Sequence, residues 1–142
     1  MLESIEKHFD LTKKSPEQIG PLKLAFLGDA VYELIIRSIL MDERDRSVKK
    51  MNRSADRLVN ATTQAQIASV ILPHLTEDEK AIFHRGRNAK NSSASKHSNI
   101  HDYRVATGLE SLFGYWYLAG QTERAVTLLK SAIEELKPGG LS

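Results

Sequence analysis

Residues 21–41 read Pro-Leu-Lys-Leu-Ala-Phe-Leu-Gly-Asp-Ala-Val-Tyr-Glu-Leu-Ile-Ile-Arg-Ser-Ile-Leu-Met. Pro21 suits the first turn of a helix, where its missing N–H costs nothing. From Leu22 to Leu40 the apolar side chains point almost all round such a helix, which places it centrally in a bundle. Yet Asp29, Glu33 and Arg37 follow at intervals of four and share one slowly drifting stripe. A second stretch, 99–119, repeats the combination: Leu109, Leu112, Phe113, Tyr115, Trp116 and Leu118 surround a lone acid, Glu110. An acid on a buried helix needs a partner or a metal.

The pattern outward from these two helices is helical throughout. No run alternates apolar and polar residues, and no Asn-Gly or Asp-Gly hairpin signal occurs. Ser47 reads as the cap of a helix to about Val59, followed by another from Ala61 to Leu72, with one kinked rod as the alternative. Thr76 with Glu79 is a capping box that opens a helix to about Asn88. Residues 89–98 are polar and Ser-rich and read as a loop. Gly120 closes the helix after it, and the last helix spans about 121–137 before Pro138-Gly139-Gly140. The expected fold class is all-α.

The chain has 142 residues, enough for one domain that buries about two-thirds of its unfolded surface. Apolar residues are 41% and charged ones 27%, as in ordinary globular proteins. The absence of cysteine removes disulfides, thiolate zinc sites and cysteine nucleophiles together, and fits a reducing cytoplasm. Twenty Lys and Arg against eighteen Asp and Glu leave +2, so nucleic-acid binding would need a local patch. Glu3, Glu6 and Lys7 interrupt the stretch where a signal peptide has its apolar core. The longest run without Asp, Glu, Lys or Arg, Leu58 to Thr76, carries too many amides and hydroxyls to span a bilayer. No membrane association is expected.

Two readings of the buried acids stay open on spacing alone. In the first they pair internally: Glu33 with Arg37 as an i,i+4 bridge, and Glu110 with Arg104 or another base. In the second the two apolar helices cross so that Asp29 and Glu110 face one hole. Two hard oxygen ligands plus waters suit Mg²⁺, which completes its shell from substrate phosphate. The basic side of the chain bears on that choice. Between His84 and Arg104 lie Arg85, Arg87, Lys90, Lys96 and Arg104 against a single acid, Asp102, with Asn88, Asn91 and Asn99 interleaved. That composition suits a loop gripping a phosphate backbone, with a solvated loop as the alternative. Acids aimed at a metal beside it would suggest phosphodiester hydrolysis.

Other chemistries fit less well. His97 and His101 stand four apart, but His97 lies in the loop and a surface role suits both. His101-Asp102 lacks the further downstream Asp that a helical metal phosphohydrolase needs. No Gly is followed by Lys, no Gly-x-Gly-x-x-Gly occurs, and no Glu-x-x-His suggests a di-iron bundle.

Leu24-Ala-Phe-Leu-Gly-Asp-Ala-Val-Tyr-Glu-Leu34 resembles the signature helix of the ribonuclease III family, with Phe-Leu-Gly-Asp-Ala as its specific core. Gly108-Leu-Glu-Ser-Leu-Phe-Gly-Tyr-Trp-Tyr-Leu118 is similar to the family's second acidic helix. Arg85-Gly-Arg-Asn-Ala-Lys90 with Tyr103-Arg104 resembles one branch more closely, Mini-ribonuclease III. The resemblance covers residues 18–136. It implies a ribonuclease III-like helical bundle, a single catalytic domain over 1–142 with no double-stranded-RNA-binding domain, and a cytoplasmic homodimer.

The resemblance further implies an Mg²⁺-dependent endonuclease for double-stranded RNA that leaves 5′-phosphate and 3′-hydroxyl ends. In the Mini branch its substrate is the precursor of 23S rRNA. The family's catalytic, metal-holding Asp and Glu match Asp29 and Glu110. Two other family acids fall on Ala25 and Thr107, a thinning the branch shares, so the number of metals stays open. Glu33, Arg37 and Thr107 are expected around the acids, the first two orienting them. Arg85, Arg87, Asn88, Lys90, Lys96 and Arg104 are expected on RNA, and Phe26 in the dimer interface. A ribosomal protein is a further candidate partner. The competing reading is a non-catalytic RNA-binding or ribosome-associated protein that keeps the fold.

Overall fold

The computed structural model describes residues 1–42, 47–89 and 99–136. Seven α-helices are present among them and no strand: α1 (Leu2–His8), α2 (Pro21–Leu40), α3 (Val48–Val59), α4 (Ala61–Ile71), α5 (Glu77–Asn88), α6 (Ile100–Leu118) and α7 (Thr122–Leu136). Short 3₁₀ turns occupy Pro16–Gln18 and Leu72–His74. The all-α expectation holds, and the cap signals mark the helix starts. Ser47 Oγ accepts from Lys50 N at 3.2 Å. Thr76 and Glu79 form both bonds of the capping box, at 3.2 and 2.8 Å. Gly120, at φ +71°, ends α6 in the left-handed region that glycine tolerates.

Helices α3 and α4 are the two separate helices expected, and the alternative of one kinked rod does not hold. Asn60 is extended between them, and its side chain serves both ends: Nδ2 donates to the Asp56 and Arg57 carbonyls, while Oδ1 accepts from Thr63 N at 2.9 Å. One residue thus satisfies orphan groups of two helices, which makes a sharp corner cheap. Helix α1 was not expected at all, and none of its residues is buried. Finally, α2 is not central in the way its composition suggests. Leu24, Val31, Tyr32, Ile36 and Leu40 are buried, but Leu22, Phe26 and Leu34 are exposed, with Phe26 at 85%.

The central element is α6. It packs against α2, α4, α5 and α7, and its residues from Val105 to Trp116 are buried except Glu110, which is partly exposed. Tyr32, Phe113 and Trp116 stack edge to face through the middle, with centroids 5.2 and 5.4 Å apart. The Tyr32 hydroxyl donates to the Leu58 carbonyl at 2.6 Å, tying α2 to the end of α3. A buried polar cluster closes the base of the bundle. Arg124 donates from Nε and Nη2 to the Glu79 carboxylate at 2.5 and 2.7 Å, and Trp116 Nε1 donates to it at 2.7 Å. Burial alone would raise the Glu79 pKa, but these donors and the Thr76 N–H hold it down at about 2. The sequence signal for Glu79 was a cap; its role as buried counter-ion depends on α7 returning beneath α5.

Candidate active site

Helices α2 and α6 meet backbone to backbone. A Cβ on Gly28 would overlap the Glu110 carbonyl oxygen, and one on Gly114 would overlap the Leu24 carbonyl oxygen. Only hydrogen side chains allow that approach. Each glycine lies beside an acid or within one turn of one, Gly28 next to Asp29 and Gly114 four residues past Glu110. The crossing therefore sets both acids at one point between the helices.

Asp29 faces Glu110 across this crossing. Burial raises the Glu110 pKa first, and the nearby Asp29 carboxyl adds to it by hydrogen bonding and by charge; together they push it up to about 8. At neutral pH in the absence of a cation, the pair keeps a proton. Asp29 is exposed and Glu110 partly so, which leaves the pair open to solvent and to a large substrate. Glu110 does not pair with Arg104, which is exposed at the start of α6. Internal neutralisation thus does not account for Glu110. It does account for Glu33, whose Oε1 accepts from Arg37 Nη2 at 2.9 Å one turn past Asp29.

A third polar group joins the acids from α4. The Gln64 side chain is 3% exposed and reaches Glu110, whose pKa it draws down. Even so, Gln64 Nε2 is the one buried side-chain nitrogen or oxygen among the described residues that makes no well-formed hydrogen bond. Sequence reasoning missed this residue. The available signal was an amide in the row Gln64, Ile67, Ala68, Ile71, the inward face of α4.

Two carboxylates, with a buried amide donor beside one of them to orient it, fit a divalent cation of the hard, oxygen-preferring kind, which completes its shell with water and phosphate. No group of three or more His, Asp and Glu side chains converges among the described residues, so the pair would carry the site. Thr107, one turn before Glu110, turns its hydroxyl to the Tyr103 carbonyl at 3.0 Å. Ala25 is buried in α2.

The basic residues cluster by helix end. Arg85, Arg87 and Asn88 are exposed in the last turn of α5. Gly86 between them packs on Ser111 and Gly108, so this turn lies level with the stretch of α6 that bears Glu110. Arg85 Nη2 also donates to the Glu17 carbonyl at 3.2 Å, and the residue as a whole stays exposed. Lys90 and Lys96 lie outside the described residues. Phe26 stands one turn before Asp29 on the same exposed side of α2. No helix among the described residues is long and apolar enough to cross a membrane.

Residues 22–121 match the ribonuclease III domain. The chain is 46% identical over 111 residues to Mini-ribonuclease 3 of Desulfitobacterium hafniense, covering 78% of this chain and 70% of that one. It is 42% identical over 125 residues to Mini-ribonuclease 3 of Symbiobacterium thermophilum, covering 88% of this chain and 96% of that one. A crystal structure of a Fusobacterium nucleatum protein superposes with a TM-score of 0.74 at 30% identity, covering 87% of this chain and 98% of that one. The acid-bearing α2–α6 crossing lies wholly within the matched region, and the chain belongs to the ribonuclease III family, in its Mini-ribonuclease 3 branch.

Proposed function

We propose that this protein is an Mg²⁺-dependent endoribonuclease of double-stranded RNA, acting as a cytoplasmic homodimer on the ends of the 23S rRNA precursor. The observation that carries the reading is the juxtaposition of Asp29 and Glu110 at the glycine-lined crossing, where no base among the described residues neutralises them. Two like charges are costly to hold together without a cation, and this cost makes the pair a cation site. Membership of the Mini-ribonuclease 3 branch supports the RNA substrate.

The roles follow from position. Asp29 and Glu110 offer charged oxygens to the cation from two helices that cannot slide apart without breaking the backbone contact. A divalent ion held by Asp29 and Glu110 would supply Lewis-acid polarisation of the scissile phosphate and a more acidic water. Glu33 and Arg37, paired one turn along, restrict how Asp29 can turn. The Thr107 hydroxyl, held by its own helix, shapes the wall beside Glu110 rather than adding a ligand. Arg85, Arg87, Asn88 and Arg104, with Lys90 and Lys96, take backbone phosphates on either side. Cleavage with the leaving group on the 3′ oxygen yields a 5′-phosphate and a 3′-hydroxyl. Phe26 and the exposed apolar side of α2 face the second subunit, which would place two acid pairs near a common seam for the two RNA strands.

The competing reading, a non-catalytic RNA-binding protein, draws on the positions of Ala25 and Thr107, which hold no acid. One experiment separates the two. Duplex RNA is incubated with the wild-type chain, Asp29→Asn and Glu110→Gln, with Mg²⁺ or with chelator, and the end groups are analysed. The wild type should cut only with Mg²⁺ and leave 5′-phosphates, while each variant falls by orders of magnitude and still binds duplex. Near-normal cleavage by Glu110→Gln would end the two-carboxylate mechanism.

A further inference from the structure

We propose that Gln64 is the positioning residue of the acid pair: its buried side-chain amide is placed to donate to the Glu110 carboxylate when a divalent cation binds, and so fixes how Glu110 presents oxygen to that cation. The inference rests on the two-carboxylate reading above. Gln64 occupies the inward row of α4 with Ile67, Ala68 and Ile71, and α4 packs directly on α6. At 3% exposure it is nearly as buried as its apolar neighbours. A buried amide donor is costly to leave unbonded, yet Nε2 has no partner of good geometry among the described residues. Core packing therefore gives no reason for an amide here, whereas the acid beside it does.

The other polar side chains around Glu110 are already committed. The Tyr32 hydroxyl donates to the Leu58 carbonyl. The Thr107 hydroxyl donates to Tyr103. Ser111 Oγ lies 3.0 Å from the Pro21 carbonyl and 2.9 Å from the Thr107 carbonyl, and its one proton goes to either. Gln64 holds the free donor. A carboxylate that ligates a metal is commonly held by such an outer hydrogen bond, and losing it typically weakens the metal tenfold to a hundredfold. The amide suits this better than a lysine, since it orients a carboxylate without competing with the cation for its charge.

The test uses the full chain without RNA and Mn²⁺ as probe, because Mn²⁺ takes the same oxygen ligands and free ion is counted directly by paramagnetic resonance. Gln64→Met and Gln64→Leu are compared with the wild type and with Glu110→Gln. Expected results are melting temperatures at or above wild type in metal-free buffer, Mn²⁺ affinity about tenfold or more weaker, and a lower kcat for duplex RNA with KM unchanged. Glu110→Gln should lose Mn²⁺ altogether. Wild-type Mn²⁺ affinity in folded Gln64→Met, alongside its loss in Glu110→Gln, would overturn the role of Gln64 and leave the acid pair standing. Wild-type Mn²⁺ affinity in Glu110→Gln would instead remove the acid pair as the cation site, and Gln64 with it. Melting of both Gln64 variants well below wild type would assign the amide to the core and also overturn the proposal.

Discussion

Glu110 is a carboxyl that the fold holds against its own charge. Its folded pKa of about 8 stands above the ordinary 4.5. Between those values the folded state binds more protons than the unfolded one, so stability falls as pH rises through that window and levels off above about 8. Glu110→Gln removes the titration and with it the slope. We expect the metal-free variant to match the wild type near pH 4.5 and to exceed it at pH 8 by about 4 kcal/mol, seen as a markedly higher melting temperature. Had Glu110 been paired with Arg104, the same substitution would orphan a charge and lower the melting temperature at both pH values. The sign of the change at pH 8 decides between the two. Glu79 shows the opposite case: equally acidic in sequence, it is held at about 2 by Arg124, Trp116 and its own cap. Two glutamates on buried helices thus end in opposite states, and the difference lies in what faces each across the bundle.

At the level of elements, the site depends on one close helix crossing. Gly28→Ala would drive a methyl group into the Glu110 carbonyl, and the overlap is with backbone, which cannot rotate away. We expect a loss of about 3 kcal/mol or more, read by denaturant unfolding. Any folded fraction should also cleave poorly, since separating α2 from α6 separates the acids. A Gly28→Ala chain as stable as wild type would mean that the helices cross differently in solution. The last turn of α5 makes a separate prediction. Arg85 and Arg87 are exposed there at the level of the acid site, so the double change to Ala should leave folding intact, weaken duplex RNA binding and lessen its salt dependence. Unchanged affinity and salt slope would show that this turn only faces solvent. The Asn60 corner illustrates why helix ends were easier to read than helix directions. Ser47 and Thr76 cap through contacts a few residues away, which spacing reveals, whereas the turn at Asn60 between α3 and α4 depends on what each helix packs against.

Across the whole molecule, the exposed side of α2 is out of keeping with the bundle it belongs to, whose Tyr32, Phe83, Phe113 and Trp116 rings are fully buried. Phe26 is 85% exposed next to exposed Leu22 on a helix whose other side is fully packed. A twofold dimer through this side would bury it, and Phe26→Ala should then weaken association by about 2–4 kcal/mol, measured by sedimentation equilibrium over a range of concentrations. A wild-type chain that stays monomeric at micromolar concentration would refute it. The helical class, the capped starts at Ser47 and Thr76 and the two acids on apolar helices were all legible in the sequence. They rest on periodicity and on short-range hydrogen bonds, which operate within about one helical turn. Helix α1 was not legible, because it buries no side chain and so imposes no apolar pattern. Which acid meets which partner was not legible either. Asp29 and Glu110 are far apart in the chain, and their meeting depends on Gly28 and Gly114 letting two backbones touch. Gln64 joins them because α4 turns at Asn60 and lies along α6. Local sequence determined the helices and the chemistry each could carry; only the tertiary packing decided which charges are neutralised and which are left together, because electrostatic energy depends on distance and burial rather than on order along the chain.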